Sequence, residues 1–289
     1  MSAATTDALM RLEQLPGVAD AVAEARDACT SLRWHEGLRR RIPEAAAESR
    51  VRGAAASALL EGAEPAGSQH SVDLVRDLVR GARTFAERPE DPVWRVLAGA
   101  VRVTSATERL GATHLGAPGQ VLAGLHTAAI GDLLPPARVG RPRGPGEDCP
   151  EWAELGDLPT PAEVRSRLAM VHELISSVPS GTGPVLLVAA VVHAELVTVR
   201  PFGLGNALVA RAVERTILRV GGLDPTGVAV PEVGHADRAG TDYRGALGAY
   251  ASGDPEGVRL WLLHVAEAVR RAAAEGVRVA DAVRAGRLG

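Results

Sequence analysis

The sequence predicts an all-α protein, and three observations carry that prediction. The stretch from Val185 to Val199 is apolar almost all round, and after the break Arg200-Pro201-Phe202-Gly203-Leu204-Gly205-Asn206 a second amphipathic run continues to Val220. A helix apolar on every side belongs at the centre of a core. Aromatic residues make up 3% of the chain against 46% hydrophobic residues, so the core must be built from Ala, Val and Leu, which suits closely packed helices. The other periodic segments are punctuated by Pro, Gly and capping residues at helical lengths.

In chain order, residues 1 to 62 read as three helical pieces: Ala8 to Cys29, a segment from Ser31 through Arg39-Arg40-Arg41, and Pro43 to Leu60. The arginine run reads as a solvated face. Ser57 and Glu61 stand four apart and share one face of the third piece, which Gly62 closes ahead of a turn at Pro65-Ala66-Gly67. Ser71 to Glu87 aligns Val72, Val75, Leu78, Val79 and Ala82, and ends at Pro89 and Pro92 before a helix from Val93 to Leu110. Gly116 to Gly119 mark a boundary, and Gln120 to Leu134 forms a short helix holding His126, a lone histidine more in keeping with a hydrogen-bonded core residue than with a catalyst.

Residues 135 to 161 are the least regular part, rich in proline and glycine, and a loop of that length is functional or disordered. Thr160-Pro161-Ala162-Glu163 opens the next helix with a cap and a proline at its first position, running to Ser177. Thr182 and Pro184 open the central helix, and Arg200, which precedes a proline, ends it. Asn206 is the expected N-cap of the following helix, which Gly221 and Gly222 stop. Two last helices span Ala236 to Ala251 and Pro255 to about Arg287, the second capped by Asp254.

A chain of 289 residues makes one large domain or two small ones and buries about 75% of its unfolded surface. With 32 basic residues, all arginine, against 35 acidic ones, the net charge of -3 gives no case for nucleic acid or an anionic membrane. The apolar run of the central helix meets His193 and Glu195 too early for a membrane span, which needs about 20 apolar residues. Cys29 and Cys149 lack metal-ligand spacing and read as reduced thiols, and Met1 to Val22 lacks the apolar core of a signal peptide, so the expected location is cytoplasmic. HExxH, paired CxxC and GxSxG patterns are absent.

Chemistry is expected at the turn between the two central helices. The start of the second helix offers unpaired N–H groups and a favourable dipole to an anion, and glycines let a phosphate approach the backbone. Two readings stand. In one, Arg200, Gly203, Gly205, Asn206 and Arg211 hold a phosphate-like anion; in the other, Arg200 pairs with a neighbouring carboxylate and Asn206 only caps its helix.

The string His193-x-x-Leu196-x-x-Val199-Arg200-Pro201-Phe202-x-Leu204-Gly205-Asn206-Ala207-Leu208-x-x-Arg211 resembles the signature of the Fic (Fido-fold) family, HxxFxxIHPFx(D/E)GNGRxxR. Ser57-Ala58-Leu59-Leu60-Glu61-Gly62 is similar to the (S/T)xxxE(G/N) inhibitory motif of one class of that family. Gly124-Leu125-His126 with Gly140-Arg141-Pro142-Arg143 resembles the approach to its target-binding flap, and Asp242-Tyr243-Arg244, Leu247, Gly253-Asp254 and Trp261 resemble its closing helices. Together these cover roughly residues 55 to 268.

The resemblance implies a Fido-like helical fold with a small β-hairpin flap, preceded by an N-terminal helical segment. It divides the chain into residues 1–115, including an inhibitory-type helix at about 45–62, a Fido-like domain over 116–268, and a helical extension over 269–289. It also implies transfer of AMP or another phosphate-containing group to a protein hydroxyl, with ATP or another nucleotide as ligand and a protein as partner. The departures fall on the chemistry. Arg200 stands where the family has its catalytic His, and a guanidinium does not lose its proton in proteins, so the general base is missing, a loss worth ~10²–10⁴-fold. Leu204 replaces the metal-binding acid, leaving no expected metal site, and Leu208 replaces a phosphate-binding Arg.

Three functions follow as expectations. The first is a Fic-like protein with an eroded site, acting in binding or regulation, in which Ser57, Glu61 and Gly62 form the inhibitory motif and Glu61 pairs with Arg211. The second is a divergent nucleotidyl- or phospho-transferase, and the third an unrelated helical interaction protein.

Overall fold

The computed structural model describes residues 1–63, 71–87, 90–181 and 183–288. The expected turn at Pro65-Ala66-Gly67, the stop at Pro89 and the cap at Thr182 lie outside the described residues. Among those described there are helices and no strand: α1 Ala3–Glu13, α2 Val18–Arg33, α3 Ile42–Leu60, α4 Ser71–Arg80, α5 Pro92–Ala106, α6 Ala112–Leu115, α7 Pro118–Ile130, α8 Pro161–Ser177, α9 Val185–Val199, α10 Asn206–Val220, α11 Pro231–His235, α12 Thr241–Ala251 and α13 Pro255–Arg284. None is long and apolar enough to cross a membrane.

Helix α9 forms where its sequence places it and is the centre of the molecule, buried from Leu186 to Val199. Helix α10 packs along it, α8, α12, α13 and α1 also touch it, and α5 and α7 lie against α10. The core runs without interruption from Leu9 to Val283. Trp261 of α13, fully buried, donates its indole N–H to the Ala190 carbonyl of α9 at 2.8 Å, which satisfies a polar atom inside that core. The Thr160–Glu163 capping box and the Asp254 cap both form.

Several boundaries differ, each for a local reason. The piece expected over Ala8 to Cys29 is two helices, because Pro16 cannot continue α1 and Gly17, at φ 76°, starts α2. The segment through Arg39-Arg40-Arg41 is a short 3-10 turn over Glu36–Leu38, with Arg40 left-handed at φ 63°. Helix α4 stops at Arg80, and the rest of its expected span contains only a 3-10 turn at Phe85–Glu87. Helix α11, opened by Pro231, precedes the helix expected from Ala236, which itself begins only at Thr241. The β-hairpin flap is absent among the described residues: 135–161 carries only 3-10 turns at Pro136–Arg138 and Ala153–Leu155, because its prolines remove the donors a ladder needs.

A core so poor in aromatics is filled by bringing helices close. At Gly99 of α5, a Cβ would lie 2.0 Å from the Ala129 carbonyl oxygen of α7, and at Gly234 of α11 one would lie 2.0 Å from the Ala268 carbonyl oxygen of α13. These contacts have backbone on the opposing side, so no side chain can yield. Gly99→Ala is therefore expected to destabilise the protein by about 1–3 kcal/mol through overpacking. Gly124→Ala, at an exposed position of α7 with nothing within 4 Å, should instead be neutral or stabilising by up to about 1 kcal/mol. Equilibrium denaturant unfolding of the two variants checks the contrast.

Candidate functional site

Helix α9 ends because Arg200 adopts a left-handed conformation at φ 49° ahead of Pro201. The chain then turns within a few residues, closed by Asn206: its Oδ1 accepts the Phe202 N–H at 2.9 Å and its Nδ2 donates to the Phe202 carbonyl at 3.0 Å. Asn206 is thus the first residue of α10 rather than its cap, because its side chain is turned back into the loop. Gly205 takes the cap position at φ 79°, where a Cβ would also lie 2.5 Å from Ile130 Cγ2. Gly203 lies under Arg138, whose Nη2 is 2.5 Å from where its Cβ would be.

The N–H groups at the mouth of α10 form the expected cradle, and a carboxylate of the protein already lies in it. Glu151 accepts from Gly205 N at 2.6 Å, Asn206 N at 3.0 Å and Asn206 Nδ2 at 3.0 Å. Burial raises the pKa of this carboxyl, the Glu61 charge raises it further, and the three donors pull against both. Sequence reasoning missed Glu151 because its position in an irregular loop gives no register by which to place it beside Gly205.

Arg200 does not join the cradle. Its guanidinium, only 2% exposed, donates to the carbonyls of Trp152 at 3.2 Å, Gly156 at 2.8 Å and Asp157 at 2.8 Å rather than to a neighbouring carboxylate. The same loop is tied down by Arg143, whose backbone N–H donates to Pro201 O at 2.7 Å and whose Nε donates to Arg200 O at 2.8 Å. His126 stacks on Phe202 with centroids 4.0 Å apart; its Nδ1 accepts from Gly140 N at 2.9 Å, so its Nε2–H donates to Leu204 O at 3.1 Å. Residues 135–161 consequently lie across the 200–206 turn. Leu204 offers this region an apolar side chain, and Ala207 and Leu208 are buried in the core.

Arg211, 1% exposed, faces α3. It donates to Glu61 Oε1 at 2.5 Å, to Ser57 Oγ at 2.8 Å, to Ser57 O at 3.3 Å and to the Tyr243 hydroxyl at 3.5 Å. Glu61 is the C-cap of α3 rather than an interior helical residue, and Gly62, at φ 72°, turns the chain away. Glu214, three residues on from Arg211 along α10, faces two histidines instead.

Those histidines belong to a buried cluster behind the site. Glu214 Oε2 accepts from His193 Nδ1 at 2.5 Å and from His235 Nε2 at 2.8 Å; His193 Nε2 meets the Tyr243 hydroxyl at 2.8 Å, and His235 Nδ1 meets His264 Nε2 at 3.1 Å. Burial pushes His193 down to about 4 and His264 down to about 3, whereas burial raises Tyr243. Glu214 feels the same burial, but the two imidazoles outweigh it and hold its pKa well below the usual range. His193 and Tyr243 stood in the motif patterns; Glu214, His235 and His264 come from α10, α11 and α13.

No protein-family model matches the sequence, and no curated protein does. Solved structures do match. A Fic family protein from Desulfovibrio desulfuricans G20 superposes with a TM-score of 0.68 at 21% identity, covering 91% of this chain and 74% of that one. The chain has the Fic fold. Fic-1 (residues 134–508) from C. elegans matches at TM-score 0.65 and 17% identity over 90% of this chain and 72% of that one, and a Fic-domain signalling protein from Bacteroides thetaiotaomicron VPI-5482 matches at 0.59 and 13% over 90% and 98%. At these identities the likeness is one of fold.

The His126 contacts carry a pH dependence. Burial lowers its pKa from 6.5 to about 4, partly offset by its bond to Leu204 O, so between those values the unfolded chain binds a proton that the folded chain does not. Its contribution is present above pH 6.5 and is lost as pH falls toward 4, where a proton on Nδ1 would break the bond from Gly140. Denaturant unfolding from pH 4 to pH 7 should give a shallower pH slope for His126→Gln than for the unaltered protein.

Proposed function

We propose that this Fic-fold chain acts as a binding or regulatory protein whose nucleotide site is held shut from within, and that it does not transfer nucleotides by the family mechanism. The observation that carries the reading is Glu151 in the cradle of α10, where three donors that would face an incoming phosphate are bonded to the protein's own carboxylate. Other features agree. The residue at the position of the family base is an arginine bound to three carbonyls, the position of the metal-binding acid is Leu204, and Arg211 is engaged by Glu61. ATP or another nucleotide, if taken up at all, must displace Glu151 and do so without the family's carboxylate for Mg²⁺.

The test pairs binding with transfer. Unaltered protein incubated with labelled ATP and Mg²⁺ should acquire no covalent label, and calorimetry should show weak binding of ATP with little dependence on Mg²⁺. Glu151→Ala removes the internal anion, and since hydrogen bonds to a charged group are worth about 1.5–3 kcal/mol each, it should strengthen binding of ATP or inorganic phosphate about 10-fold or more. It should still transfer nothing. Mg²⁺-dependent labelling by the unaltered protein, by Glu151→Ala or by Glu61→Gly would instead establish a divergent transferase under internal lock.

In this reading of the function the Glu61–Arg211 pair serves structure. Glu61→Ala leaves the Arg211 guanidinium buried without its counter-charge and should lower stability by about 3–5 kcal/mol, a much larger effect than the 0–1 kcal/mol of an exposed pair. Thermal unfolding of Glu61→Ala, Arg211→Met and the double variant should show strong coupling, whereas additive losses would remove the structural role.

A further inference from the structure

The His193–Glu214–His235 cluster is not used by the site above. All three residues are fully buried, come from three different helices, and place one donor atom each within 4.8 Å of one another. Two features separate it from an ordinary buried hydrogen-bonded group. Glu214 Oε1 is buried and has no hydrogen-bond partner, although it belongs to a carboxylate in the middle of the core. Each imidazole, moreover, has its far nitrogen held by another side chain, His193 by Tyr243 and His235 by His264, which is the outer support that orients metal-bound imidazoles.

We propose that His193, Glu214 and His235 form a binding site for a divalent transition metal of the Zn²⁺ class, which would tie α9, α10 and α11 together. Two imidazoles and one carboxylate suit Zn²⁺ or Co²⁺, and three protein donors leave a fourth position for water. Nitrogen donors argue against Mg²⁺ and Ca²⁺, which take oxygen. Loading needs no net loss of protons from neutral rings. Each imidazole moves its proton from the nitrogen facing Glu214 to its far nitrogen; the Tyr243 hydroxyl turns its hydrogen away so that its oxygen accepts, His264 moves its own proton to Nδ1 so that its Nε2 accepts, and the freed nitrogens and a Glu214 oxygen bind the ion. The orphaned Oε1 gains either the ion or the space to find a partner.

Co²⁺ serves as the optical probe, added to the whole chelator-treated chain both as folded and during refolding from denaturant, so that burial of the site cannot block entry. The expected result is one Co²⁺ per chain with the strong visible absorption of a four-coordinate ion, displaced by one equivalent of Zn²⁺, and a higher melting temperature with metal than with chelator. Tyr243→Phe keeps the ring but removes the outer support of His193, and should weaken Zn²⁺ about 10–100-fold. His172→Ala, at a histidine outside the cluster, should leave binding unchanged. The proposal is overturned if neither route gives stoichiometric Co²⁺ binding, or if binding is lost in His172→Ala and kept in Tyr243→Phe, the pattern of an adventitious surface site.

Discussion

The start of α10 lies inside the protein, and its backbone donors need acceptors there. A helix leaves its first N–H groups without partners, and away from water each one left unpaired costs free energy. Gly205 and Asn206 supply two such donors, and the Asn206 amide a third; Glu151 accepts all three. Because Glu151 lies in the irregular stretch between α7 and α8, satisfying the helix brings that stretch across the 200–206 turn. Once there, its own carbonyls at Trp152, Gly156 and Asp157 need donors, and Arg200 provides them. The closed state of the turn is therefore a consequence of two sets of backbone groups, donors from the helix and acceptors from the loop, each satisfied by a charged side chain from the other.

Arginine is well suited to this work. Its planar fork offers several donors in fixed directions and stays charged when buried, which a lysine would not do as readily. Arg200 bonds three carbonyls, Arg211 bonds Glu61 together with Ser57, and Arg215 forms a bidentate pair with Glu232 at 2.8 and 2.7 Å while also donating to Ser49 Oγ at 3.0 Å. In each case one side chain joins segments far apart in sequence. With few aromatics to give the Ala-rich core its shape, these forks and the glycine contacts between helices define which helix faces meet.

What was legible in the sequence follows from how locally each feature is encoded. Helices α8 and α9 begin and end as expected because their limits are written in adjacent residues: Thr160 with Glu163, Pro184, and Arg200 before Pro201. The break at Pro16 is equally local, a proline followed by a glycine inside the span expected as one helix. The residues of the turn were legible too, but not their partners. Glu151 lies 54 positions from Gly205, and His235 and His264 share no spacing with His193 that a periodic reading could detect. The roles of Arg200 and Glu151 depend on the course of a loop without regular structure, and side-chain pattern says little about such a course.

Charge balance explains why so many features of the turn point the same way. An open phosphate site keeps positive groups without internal counter-charges, so that the ligand supplies the negative charge. Here the attractors are each matched within the chain: the α10 amides by Glu151, Arg211 by Glu61, and Arg200 by carbonyl dipoles. The two carboxylates also act on each other, since the Glu61 charge helps raise the pKa of Glu151. A third anion brought into this region would meet two negative charges and find its donors taken. Removing Glu61 alone would expose Arg211 yet relieve Glu151, strengthening its hold on the cradle, and removing Glu151 alone would leave Arg211 bound to Glu61. The two contacts are therefore coupled through their charges, and releasing one tightens or preserves the other.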